Sequence, residues 1–230
     1  MKILLILSIL ILAFSSCKDS VVIEVPEEKA FDYKAYLLRN DDDNVPTIDF
    51  PANLSVQEIY VLIRSDFKFK KNCVDSFRFN YNTGTYEINS FAGEYCLSVP
   101  PPPIIHPLVI ETQIDKKVFF NNEIVDFRHI ESKSINYFQK VNNLDQLPHL
   151  IFRNDNSISE DFSEQVLKSV IKSYLKFAES DFYKEYKIPM STAPKEKVHN
   201  YKIENQPILI FSEFYYNDYK IITSDKTNNK

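Results

Sequence analysis

Glycine is the residue this chain most conspicuously lacks. Gly84 and Gly93 are the only two in 230 residues, where average usage of about 7% would place roughly sixteen. The P-loop and the dinucleotide-binding turn each need at least two glycines at fixed offsets ahead of a helix, so neither phosphate cradle can be built. Tryptophan is absent and there are three cysteines, too few for a disulfide-dense scaffold or a zinc ribbon. Lys and Arg number 27 against 32 Asp and Glu, for a net charge of −5. With a pI near 5.5, that balance excludes a basic nucleic-acid surface. What remains is 44% hydrophobic and 26% charged residues, the composition of a folded soluble protein of one or two domains.

The N-terminus carries an address. Met1-Lys2 supplies one positive charge, Ile3 to Phe14 is apolar apart from Ser8, and Ser15-Ser16-Cys17 ends the run with small residues. This is the pattern of a signal peptide. Crossing a bilayer takes about twenty apolar residues, and Lys18-Asp19 stops the run well short of that. The ending resembles the lipobox of bacterial lipoproteins, with Phe14 in place of the usual Leu three positions before the cysteine. Looser lipoboxes occur among Bacteroidetes, whose Asn-, Lys-, Ile- and Tyr-rich proteins the chain also resembles. Lys18-Asp19 is similar to the short Lys-acidic signal that sends some of those lipoproteins to the cell surface. The resemblance implies that residues 1–16 are removed and that Cys17, acylated for instance with palmitate, becomes the first residue of the mature chain. It also implies anchoring to the outer membrane of the cell envelope, facing the periplasm or the surface. Loss of Lys2 leaves 26 basic against 32 acidic residues, a net charge of −6. An acidic body on a lipid tail does not bind nucleic acid or anionic membrane through its surface field.

Cys73 and Cys96 remain as an even pair in a chain that leaves the cytoplasm, which is expected to be a disulfide. Between them, the alternating runs 76–81 and 85–89 flank Asn82-Thr83-Gly84, a hairpin pattern. Closing a loop of this size is worth about 3 kcal/mol in the chain-entropy model. A zinc site lacks a second local pair of ligands, and a catalytic thiol lacks a nearby histidine as base.

Pro100 to Pro103, with Pro107 soon after, must be extended, because each ring fixes φ and disfavours helix in the residue before it. The chain is therefore expected to be α+β, two small helix-on-sheet domains joined by a proline-rich hinge. Residues 17–99 form the first domain, 100–107 the linker, 108–216 the second domain and 217–230 a polar tail. In the first, Val21–Val25 reads as a strand, and residues 28–39 fit a helical and an extended period equally. Asp41-Asp42-Asp43-Asn44 reads as a solvated acidic turn, lacking the glycine and the later Glu of an EF-hand calcium loop. Ser55 and Glu58 make a capping box for a short helix burying Val56, Ile59, Tyr60 and Ile63.

In the second domain, 108–112 and 117–120 read as strands. Asp126 caps a helix with Phe127, Ile130, Ser134, Phe138 and Val141 on one face, and 150–152 is a buried strand. Ser157 and Glu160 cap a long helix lined by Phe162, Val166, Val170, Tyr174 and Phe177, with Glu164 and Lys168 paired on its outer side. A strand at 208–211 completes a β-β-α-β-α-β order.

That order resembles the periplasmic domain of the ExbD/TolR biopolymer-transport family over residues 104–212. The similarity is carried by Pro101-Pro102-Pro103 leading into Leu108-Val109-Ile110, by Lys116–Glu123 followed by Phe127-Arg128-His129-Ile130, and by Pro148–Asp155 ahead of the long helix. The resemblance implies a binding role in an envelope complex. Family members carry an acid in their membrane helix, and the apolar run here holds none, so a lipid-anchored relative would keep only the binding role, toward a second copy or another envelope protein.

No Gly-x-Ser-x-Gly, His-Glu-x-x-His or Cys-x-x-Cys occurs. His106, His129, His149 and His199 are scattered singly. Asp126 with Glu131, and Glu160 with Glu164, sit where acids serve the helix dipole and solubility. The expectation is a non-enzymatic protein with no metal or cofactor. The rival is a small-ligand-binding lipoprotein or hydrolase with its pocket between the two domains.

Overall fold

The computed structural model describes residues 31–49, 51, 54, 58, 59, 61, 62, 75–94, 106–154 and 158–211. The elements below all belong to one unit, Asp32–Lys230; a second unit, Met1–Phe31, contains a single described residue.

Four helices are described from end to end, and in the two longest of them apolar residues recur at three- and four-residue steps. Helix α1 (Tyr33–Leu38) starts at Asp32, whose carboxylate accepts from the backbone N–H groups of Lys34 and Ala35 and so satisfies two of the donors a helix start leaves open. Helix α2 (Ile130–Asn142) follows a 3-10 turn at Phe127–His129 and buries Ile130, Ser134, Phe138 and Val141. Helix α3 (Glu160–Tyr186) is 27 residues long, about 40 Å at 1.5 Å per residue. It ends at Lys187 in the left-handed region with φ 57°, and Pro189 follows. Helix α4 (Lys195–Asn205) begins just after Pro194, a residue suited to helix starts.

Among the described residues, eight strands form one mixed sheet: β1 (Thr47–Asp49), β2 (Asp75–Asn82), β3 (Glu87–Glu94), β4 (Leu108–Thr112), β5 (Val118–Phe120), β6 (Glu123–Val125), β7 (His149–Asn154) and β8 (Ile208–Phe211). Their spatial order is β1-β2-β3-β8-β7-β4-β5-β6. The four central strands β3, β8, β7 and β4 run parallel, and the pairs β2–β3, β4–β5 and β5–β6 are antiparallel. Gly84 takes φ +74° in the β2–β3 turn, a left-handed conformation in which a side chain would be strained. The β5–β6 turn is made by Asn121 and Asn122 with φ 50° and 70°, both positive as a type I′ hairpin requires. Asn121 also donates its N–H to the Val109 carbonyl and accepts the Val109 N–H on its side chain, each at 2.8 Å. The meander is thereby tied to the start of β4.

Helices α2, α3 and α4 share their core with one face of the sheet, where Leu108, Ile110, Leu150, Leu209 and Phe211 meet Phe138, Val170, Tyr174 and Tyr201. Phe138 stands edge-on to Tyr174 at 5.4 Å and stacks with Phe177 at 6.0 Å between ring centroids.

The α+β class is as expected, and so are the hairpin, the strands at 108–112 and 208–211 and the two long helices. The expected division into two helix-on-sheet domains is not confirmed, because β3 of the first segment pairs with β8 of the second and makes one continuous sheet. The ambiguity at 28–39 resolves into helix at Tyr33–Leu38. Strand β6 and helix α4 add to the anticipated order. Phe127 leaves the expected buried stripe: it lies in the 3-10 turn ahead of α2, before the helix that carries the stripe begins, and is 44% exposed. Val21–Val25, Ser55, Val56, Tyr60, Ile63, Pro100–Pro103, Ser157 and the 217–230 tail lie outside the described residues.

Candidate functional site

Cys17, Cys73 and Cys96 all lie outside the described residues. The carboxylate pairs do not face each other across a reaction site. Asp126 caps the 3-10 turn by accepting from the Arg128 N–H and also bonds the Arg128 guanidinium at 2.8 Å, which holds its carboxyl well below the usual range. Glu131 pairs with Lys176 at 2.6 Å, and Glu164 with Lys168 at 2.7 Å in the anticipated one-turn spacing. In the acidic turn, Asp42 accepts from the backbone and side-chain nitrogens of Asn44.

Three of the four histidines stay apart from one another's chemistry. His106 is exposed with φ 59°, and His129 is exposed at the start of α2. His149 opens β7, where the Tyr137 hydroxyl donates to its carbonyl and accepts its N–H. Burial lowers the pKa of its imidazole, opposed by a hydrogen bond to the Leu147 backbone.

The fourth, His199, belongs to a cluster that sequence reasoning did not find. Lys195, His199 and Lys202 recur at steps of four and three, so they share one side of α4. Opposite them stand Tyr36 of α1 and Asp41 just beyond it. The Tyr36 hydroxyl meets His199 Nδ1 at 2.6 Å. Lys202 Nζ donates to Asp41 at 2.5 Å and lies 4.2 Å from the centre of the Tyr36 ring, within cation–π range. The Lys202 side chain is 7% exposed. Burial lowers its pKa and Asp41 opposes that shift; burial, then the charge of Asp41, raises the Tyr36 phenol. Gln206 donates to the Leu38 and Arg39 carbonyls, and Asn89 donates to Gln206. Asn40 and Asn80 exchange hydrogen bonds at 2.7 and 3.1 Å. These contacts latch α1 and the acidic turn onto α4 and the β2–β3 hairpin. A nucleophilic lysine must present a neutral amine to an open site. Lys202 is instead buried, paired with Asp41 and packed on the Tyr36 ring.

The opposite face of the sheet holds a second ion pair, Arg153 with Glu111 at 2.8 Å on neighbouring strands, with side chains 5% and 21% exposed. Bidentate-capable guanidinium is the usual choice for such a half-desolvated partner.

The β6 edge groups three exposed apolar residues. Ile114 in the β4–β5 turn is 64% exposed, Ile124 in β6 67% and Phe127 44%. Thr112, Val118 and Val125 are in register across the meander, so the turn carrying Ile114 and the residues leading to Phe127 lie at the same end of it. Among the described residues, no strand pairs with the outer side of β6.

Among the described residues, no three His, Cys, Asp or Glu groups converge as a metal site, and no helix is long and apolar enough to cross a membrane. No known protein family, curated protein or solved structure matches the chain.

Proposed function

We propose that this chain is an exported cell-envelope protein, anchored through a lipid on Cys17, that acts by holding another protein and not by catalysis. The observation that carries the reading is the β6 edge. An edge strand with exposed apolar neighbours is a surface to which an extended segment of a partner can add, with backbone hydrogen bonds giving affinity and Ile114, Ile124 and Phe127 giving side-chain contact. The ExbD-like order of elements gives this binding role its setting, a transport-associated envelope complex.

A disulfide between Cys73 and Cys96 forms part of the same reading. The β2–β3 ladder sets Asp75 against Glu94, and the cysteines lie two residues further along each chain. The same pairing continued would set them opposite each other. Directly opposed residues have Cα atoms about 4.5–5.5 Å apart, inside the roughly 4.4–6.8 Å that disulfides span.

The anchor is tested by metabolic palmitate labelling of the wild type and of Cys17→Ala: label lost in the variant is expected, and label absent from both overturns it. The binding role is tested by isolating the protein with its cross-linked partner from intact cells and repeating this with Ile124→Lys. Loss of the partner with unchanged thermal stability is expected. An unchanged partner set would remove the edge from consideration.

A further inference from the structure

The net charge of −5 hides an uneven distribution. The side of α3 and its C-cap turned away from the core carries Lys168, Lys172, Lys176, Lys184 and Lys187 and no arginine, along about 28 Å of helix. The acids beside this row are engaged. Glu164 holds Lys168 at 2.7 Å, Glu131 of α2 holds Lys176 at 2.6 Å, and Glu179 bonds Tyr33 and Lys34 of α1. Asp181 accepts from Asn142 and Tyr201, and Glu185 lies by Tyr186. Lys172, Lys184 and Lys187 are exposed and make no ion pair among the described residues.

Helix stability does not account for the row. Lysines in the last turn complement the helix dipole, which covers Lys184 and Lys187 only. Lys168, Lys172 and Lys176 follow one another at four-residue steps, where like charges repel and weaken a helix. A face built for solvation alternates the two signs at that spacing, as Glu164 and Lys168 do. Lys172 has a lysine one turn to either side.

The residue type points to the ligand. Arginine, with its planar fork, reads an individual phosphate or carboxylate; lysine is a point charge on a flexible stem, and a row of them answers to a spread of negative charge. Tyr183 stands within the row, 54% exposed, and a tyrosine suits the boundary between a membrane and water because its ring is apolar and its hydroxyl wet. We propose that the outer side of α3 rests on the anionic headgroups of the bilayer that carries the lipid anchor. The contact builds on the anchor proposed above, which holds the body close; the lysines decide which side of the body meets the membrane. It uses the side of α3 opposite the sheet and none of the apolar residues of the β6 edge.

The test uses the full chain with Cys17→Ala, so that lipidation plays no part, on vesicles of phosphatidylcholine alone or in a two-to-one mixture with phosphatidylglycerol. The apolar run before Cys17 enters both kinds alike, and the difference between them reads the lysines. Acetylation by a water-soluble reagent, mapped by mass spectrometry, is expected to fall severalfold at Lys172, Lys184 and Lys187 on the anionic vesicles. Lys116, in the β4–β5 turn, is expected to label equally on both, and the protection to vanish in high salt. Combining Lys172→Gln, Lys184→Gln and Lys187→Gln is expected to lower the preference for anionic vesicles about a hundredfold, about fivefold per lysine, with the circular dichroism unchanged. Equal labelling of the three lysines on both vesicles, or a preference that survives the triple variant, overturns the proposal and leaves the row to an acidic protein or to solvent. Because the chain is unlipidated, either result is independent of the palmitate labelling that tests the anchor.

Discussion

On one side of the sheet, Leu108, Ile110, Leu209 and Phe211 are packed by side chains from three helices. On the other, Val109, Ile151 and Ile210 are equally buried with no described helix over them. The difference is written in the strands. In β4, β7 and β8 the apolar residues are consecutive, Leu108-Val109-Ile110, Leu150-Ile151-Phe152 and Ile208-Leu209-Ile210-Phe211, the pattern of parallel strands covered on both faces. In β2 the pattern alternates: Phe79 and Tyr81 are buried in the core, while Arg78 is exposed on the other face. The second face thus buries its apolar residues across the central strands, whereas Ile124 of β6, set on the same face by the register Glu111–Phe119–Ile124, is 67% exposed.

The comparison is sharpened first on the helix side. Phe138 is fully buried among Tyr137, Tyr174 and Phe177. Phe138→Ala is expected to cost about 3–5 kcal/mol in urea unfolding. Ile151→Ala on the second face is expected to cost about 2–4 kcal/mol, near what Leu150→Ala costs on the helix side. A loss below about 1 kcal/mol for Ile151→Ala alone would break the equivalence, because it would mean that the second face relaxes into the space left by the missing side chain.

The helix side was legible in the sequence because periodicity records it. Ile130, Ser134, Phe138 and Val141 are buried as their spacing predicts, and so are Val166, Val170, Tyr174 and Phe177. Helix α4 left no such record, since two of the four residues it buries, Lys202 and Asn205, are polar. Strand β6 is three residues long, and its one signal was Asn121-Asn122, a pair that tolerates the left-handed conformation between apolar residues. The continuity of the sheet rests on a parallel pairing of β3 with β8 across more than a hundred residues, and parallel pairing has no turn to announce it. The cluster around Lys202 was hidden for the same reason: Tyr36 and His199 stand 163 residues apart. Of the β6 edge, Phe127 was expected to be buried and Ile124 carried no signal, because a single exposed apolar residue is ordinary in any sequence.

Electrostatics on the second face give a smaller effect. Glu111→Gln removes one charged partner of Arg153, whose side chain is 5% exposed. The expected cost is about 1–3 kcal/mol, below the 3–5 typical of fully buried pairs because Glu111 keeps some contact with water. A change under about 0.5 kcal/mol would class the pair with surface bridges and would argue that the second face is wetter than its apolar residues indicate.

The smallest expected effect is the pH response of His149, which shares the second face with Ile151 and Arg153 by strand alternation. Its pKa is lowered by burial, so between that lowered value and the unfolded value of about 6.5 the unfolded chain binds more protons than the native one. Stability therefore rises with pH across that window; it is complete above about 6.5, falls as pH drops below it, and levels off once the native imidazole is also charged. The depressed carboxylates Asp42, Asp115 and Asp126 have the same sign but act below the ordinary carboxylate value of about 3.9. The two contributions separate on the pH axis. His149→Gln is expected to flatten the urea midpoint just below about pH 6.5 while leaving the acid limb near pH 3 unchanged. If the slope in the upper window survives in the variant, the imidazole is as well hydrated in the native protein as in the unfolded chain. The second face would then be open at the His149 end, and closed only where β4, β7 and β8 bring Val109, Ile151 and Ile210 together.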